Sequence, residues 1–221
     1  MNTLLKLLRK DWRLNRVPVV ALLIAVAGSY MVASLSWYMY RNSYNWLPYR
    51  TCLTDAATAS IGIGTVIAAA FGGAAFAIER HERWADFLAM VPAPRWQVVL
   101  SKLLVGLGAP SLFAALNGAV ILVANPDAFH LDEFPLNVGM IVCGYLSVFG
   151  VAWVFSTFLD SAAIAAGISI GAVFGSLMAA AFFRIIQTDA GMLHFFAMPM
   201  GIAGLLAIIG GCVYYARRVA P

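Results

Sequence analysis

Charge falls along this chain in short clusters, separated by long runs that hold no Asp, Glu, Lys or Arg. A bilayer core about 30 Å thick needs roughly 20 apolar residues per helix. The uncharged runs therefore predict six transmembrane helices, at residues 17–40, 56–78, 103–124, 136–158, 161–183 and 195–216. The chain reads as an all-α integral membrane protein, a single transmembrane domain over residues 1–221. Only Asp160 separates the fourth run from the fifth, and one carboxylate in so apolar a stretch marks a tight turn at the surface.

Two segments outside the spans have a pattern of their own. Residues 1–16 are amphipathic at helical spacing, with Leu5, Leu8 and Trp12 on one face and Lys6, Lys10 and Arg13 on the opposite one. Such a helix lies in the membrane interface, apolar side in lipid and cations toward phosphates. Pro18 predicts the turn into the first span, since proline removes a backbone bond and disfavours helix at Val17. The second segment is the loop at 79–102. Charges crowd its first half, and Trp84, Phe87 and Leu88 supply an apolar stripe at i, i+3, i+4. Pro92 and Pro94 break the helix, which restarts near Trp96 and enters the membrane after Lys102. Charges mixed with aromatics suit a docking element for a partner. A solvated loop carrying topology charges fits the same composition.

Composition narrows the class. Hydrophobic residues make up 62% of the chain and charged ones 11%, against about 25% charged in soluble domains. With a mean hydropathy of +0.86, a soluble enzyme, a disordered chain and a disulfide scaffold are excluded. The net charge of +4 could suggest nucleic acid, but the cations flank the spans and so set topology instead. Eleven Lys and Arg fall in the N-terminal stretch, the 79–102 loop and the tail, against three in the other loops, Arg41, Arg50 and Arg184. This places both termini in the cytoplasm of a multi-pass inner-membrane protein. The first apolar run, 24 residues long, exceeds a cleavable signal and reads as a retained helix. Cys52, Cys143 and Cys212 are too scattered for a disulfide framework.

The spans themselves are chemically quiet. No Asp, Glu, Lys or Arg sits mid-helix, which disfavours a small secondary transporter, because such carriers bind their driving ion with a charged side chain. Asn117, Thr58, Ser60, Thr65, Ser156, Thr157, Ser169 and Ser176 read as hydrogen-bond glue between helices. His81, His130 and His194 do not cluster, so no metal site is expected. Gly167, Gly171 and Gly175 form a small-residue face that suits close packing, within one subunit or across a dimer. Gly167 to Gly171 also matches G-x-S-x-G, but Ser169 lies mid-helix, without the strand-to-helix turn that motif needs.

The 79–102 loop resembles the signature of the ABC-2 type permeases, the membrane subunits of one class of ABC exporter. Glu79, Arg80, Glu82, Asp86, Phe87, Leu88, Pro92, Arg95 and Lys102 fit its spacing without a gap. Arg83 and Trp84 depart from it, standing where the family has a Gly-Thr pair. The amphipathic first helix, the six spans and the turn at Asp160 extend the resemblance over the whole chain. It implies a transporter of two permease and two ATPase subunits, the permeases forming a homo- or heterodimer. The loop would be the coupling helix that docks in a groove of the ATPase. ATP and Mg would be bound by that partner; this chain has no G-x-x-x-x-G-K-[ST] phosphate cradle, and no catalytic residue or cofactor of its own is expected. The alternative from another class is a non-transporting module that anchors or regulates a cytosolic partner.

Overall fold

The computed structural model describes residues 3–40, 48–81, 94–124, 126, 134–182 and 196–218. Its regular elements are all helices: α1 (Thr3–Leu14), α2 (Arg16–Tyr40), α3 (Tyr49–His81), α4 (Arg95–Ala124), α5 (Phe134–Ser156), α6 (Ala162–Phe182) and α7 (Met198–Arg218). Among the described residues five helices are long and apolar enough to cross a membrane, α2, α3, α4, α5 and α7. Six were expected. The remaining one, α6, has a shorter apolar stretch, Ala162–Met178.

The chain turns at Asn15 and not at Pro18. Pro18 lies in the first turn of α2, where its missing N–H has no intrahelical acceptor to lose. Asn15 is the turn residue between the two helices, and its backbone N–H and side-chain amide both donate to the Asp11 carbonyl, at 3.0 and 2.8 Å.

Helix α3 runs past its expected span, and α4 starts at Arg95, next to the restart expected near Trp96. Glu79, Arg80 and His81 belong to α3, and Arg95 to Lys102 belong to α4, so both flanks of the expected 79–102 loop are helix. A charge ends the hydrocarbon-facing stretch, but it gives the backbone no reason to stop its hydrogen bonding.

The centre of the bundle is α3, packed against α2, α4, α5 and α6. Its sequence suits that position because small residues allow close approach. A Cβ at Gly72 would fall 2.6 Å from the Phe149 carbonyl oxygen, and one at Gly73 equally close to that of Ala162. Phe71, Phe149 and Trp153 are almost completely buried here, and Phe76 meets Trp153 edge-on with ring centroids 4.7 Å apart. Helices α5 and α7 run parallel, with Cys143 against Gly201, Gly150 against Gly204 and Trp153 against Gly211. At the Gly150–Gly204 crossing the two backbones touch, leaving no room for a side chain on either helix. The expected hairpin between α5 and α6 is present, turning at an exposed Asp160, with Ser161 Oγ accepting the Ile164 N–H at 3.4 Å.

Candidate functional site

Helix α1 lies along α4. On a helix, positions i, i+4 and i+8 share one face, and Leu7, Asp11 and Asn15 occupy it, all buried. Asp11 is thus carried inward by the packing of its neighbours. Its carboxylate accepts a hydrogen bond from Ser101 Oγ of α4 and lies 3.8 Å from Lys102 Nζ. Lys102 in turn pairs with Glu79 of α3 at 2.9 Å and donates to the Ala75 carbonyl. Lys10 completes the group, hydrogen-bonded to Glu79 and 3.4 Å from Asp11.

Two cations and two carboxylates therefore close on one another, with Asp11, Glu79 and Lys102 each no more than 4% exposed. Burying an unpaired charge is costly enough to be avoided; here each has an opposite partner, and the Phe76 ring takes Lys102 at 5.1 Å as well. We call this group the joint, since it fastens α1 to the end of α3 and the start of α4. Helix α7 reaches the same end. Arg95 donates to the Ala216 carbonyl at 2.8 Å, and Tyr215 stacks on Phe76.

The joint redistributes several residues read from the sequence. Lys10, expected to face lipid phosphates, points into the joint, because two buried carboxylates hold it there. Glu79, expected on a docking surface, is buried in α3 for the same reason. Arg80 is part of α3 and Arg95 opens α4. Glu82, Arg83, Trp84, Asp86, Phe87, Leu88 and Pro92 lie outside the described residues. Asp11 and Ser101 belong to no sequence motif. The available signal was that Asp11 is the one acid in residues 1–16, in register with Leu7.

The polar residues of the spans bond both within their own helix and between helices. Thr58, Ser60, Thr65, Ser156, Thr157 and Ser176 donate to carbonyls three or four residues back in their own helix. Ser169 and Asn117 bridge helices: Ser169 Oγ donates to the Val148 carbonyl at 2.5 Å, and Asn117 Oδ1 accepts from Tyr30 at 2.9 Å. Ser169 is fully buried and tied to α5, which makes it a packing residue.

At Gly167, Gly171 and Gly175 a Cβ would meet nothing within 4 Å. Among the described residues this face packs against no other helix of the chain. An apolar cleft of about 490 Å³ opens between α4 and α5 above Ile61, with Ser111 and Tyr145 its polar side chains, a lining that suits a hydrocarbon chain. No group of His, Cys, Asp or Glu suited to a metal ion occurs among the described residues.

No protein-family model, curated protein or solved structure matches the chain.

Proposed function

We propose that this chain is the membrane subunit of an ATP-driven exporter of the ABC-2 type. It would work as a dimer and couple to a separate ATPase through residues 82–88. The joint is the observation that carries this reading. Glu79 and Lys102 bracket the segment and are ion-paired to each other, so a force applied between them reaches α3 and α4 as a unit. Trp84, Phe87 and Leu88 would form the face that docks in the ATPase groove, with Arg83, Asp86 and Glu82 beside it.

Six crossings are part of the proposal. Helix α6 continues to Phe182, 21 residues in all, within the length a crossing needs. The parallel run of α5 and α7 supports it, because a chain leaving α5 must return to the other end before α7 can start alongside. The end of α3, the start of α4 and the end of α7 then share one side, as the charge distribution requires, and that side is the cytoplasm.

Phe87→Asp tests the reading. A docked aromatic replaced by a carboxylate would be buried unpaired, so capture of the ATPase should weaken by about tenfold or more. ATP hydrolysis in reconstituted membranes should fall with it, while insertion is unchanged. Undiminished capture would remove Phe87 from the contact. If no ATPase is captured even by the unmodified protein, the exporter reading fails and an anchoring module replaces it.

The open face of α6 gives a second test. Gly171→Leu adds a side chain where no described residue lies within 4 Å, so the subunit should fold with stability changed by no more than about 0.5 kcal/mol. If a second copy seats on that face, the dimer fraction in detergent, measured by cross-linking, should drop. An unchanged dimer would place the subunit interface elsewhere.

A further inference from the structure

The surface of α1 is divided into three sectors. At 100° per residue, Leu7, Asp11 and Asn15 face α4. Leu5 and Trp12 follow, 61% and 49% exposed, and then the exposed cations Lys6, Arg9 and Arg13. The single acid of the helix is consumed in the joint, so the outward surface of α1 is apolar and cationic, with no carboxylate. That charge arrangement complements anionic lipid headgroups at a membrane surface. The joint gives the contact a consequence. Lys10 and Asp11 stand between Arg9 and Trp12 on one rigid helix, so the residues that would touch lipid cannot shift without pulling on Glu79 and Lys102.

We propose that α1 is a lipid-seated lever: anionic headgroups bound to Lys6, Arg9 and Arg13 set, through Lys10 and Asp11, the position of the ends of α3 and α4. Each cation near an anionic surface contributes about a fivefold preference for the seated state, so three together bias it by about a hundredfold. That is ample to shift a two-state equilibrium. The inference goes beyond the exporter reading and requires no ATPase.

The test uses the full chain in nanodiscs, with its three cysteines replaced and Trp96→Cys introduced at the start of α4, an exposed position. The rate of modification by a membrane-impermeant maleimide is compared in pure phosphatidylcholine and with phosphatidylglycerol added at about a third of the lipid. We expect the rates to differ by about threefold or more, with no change at a control Asp160→Cys on the α5–α6 turn. Lys10→Met combined with Asp11→Asn removes the two α1 charges from the joint and leaves Glu79 and Lys102 matched. It should abolish the lipid dependence while a nitroxide at Leu5 still reports α1 on the membrane. Should that variant fail to fold, the exposed triple Lys6→Gln, Arg9→Gln, Arg13→Gln must abolish the dependence instead. Equal rates in the two lipids would overturn the proposal. So would a lipid dependence that survives these changes, or one that inorganic phosphate reproduces in phosphatidylcholine alone.

Discussion

Glu79→Gln should destabilise the folded protein by about 3 kcal/mol, seen as a lower midpoint in thermal unfolding in detergent. The side chain keeps its size, so packing is not the cause. The substitution leaves Lys10 and Lys102 facing one carboxylate, Asp11, in a site that excludes water. Removing one partner of a buried pair is costly because the charge left behind stays desolvated. Removing a matched pair is not. Glu79→Gln with Lys102→Met leaves Lys10 and Asp11 together, 3.4 Å apart, and should return to within about 1 kcal/mol of the unmodified protein. The double-mutant cycle isolates the pair. If the double variant is as unstable as the sum of the singles, the four charges do not act as a closed group.

Gly204→Leu should cost about 3 kcal/mol as well, by a different mechanism. At the crossing of α5 and α7, a Cβ on Gly204 runs into the Leu146 carbonyl and the Ser147 backbone. Main-chain atoms of a packed helix cannot rotate out of the way, so the helices must separate along their contact. Loss of a folded, monodisperse species should therefore be far greater than for Gly171→Leu, which makes the same chemical change on the open face of α6. Similar behaviour of the two variants would mean that α5 and α7 do not cross at these glycines.

The contrast between those glycines shows how much of the packing was legible. Gly167, Gly171 and Gly175 have the regular spacing that signals close helix contact, yet among the described residues it is Gly72, Gly73, Gly150 and Gly204 that lie directly against the backbone of another helix. A stripe of small residues says that a backbone can be approached; it does not say which helix approaches it. The serines and threonines follow the same logic. A hydroxyl on a helix always has a carbonyl of its own previous turn in reach, so its presence cannot distinguish a bridge such as Ser169 to Val148 from the local bonds made by Ser60 or Ser176.

The joint was hidden for a related reason. Lys10 and Glu79 are 69 residues apart, and Ser101 is 90 from Asp11. Each was read with its local neighbours: Lys10 as one of several cations beside the membrane, Glu79 as the first charge after an apolar run. Both local readings are sound physics for an isolated segment. They fail once α1 packs on α4, because burial then makes pairing the dominant requirement.

Properties that depend on short-range regularities could be read from the sequence alone. A 3.6-residue period separates apolar from cationic positions in α1 without reference to any other helix. Uncharged runs long enough to replace water with hydrocarbon mark the five long apolar helices, and the isolated Asp160 marks a turn between α5 and α6. The structure carried α3 on to His81, since backbone hydrogen bonding continues past the last apolar residue, and put the turn at Asn15 in place of Pro18, whereas Pro92 and Pro94 had already marked the start of α4. It also decided which charges meet: whether Asp11, Glu79, Lys10 and Lys102 lie in solvent or in one another's field depends on distances between helices, which no periodicity within a single helix encodes.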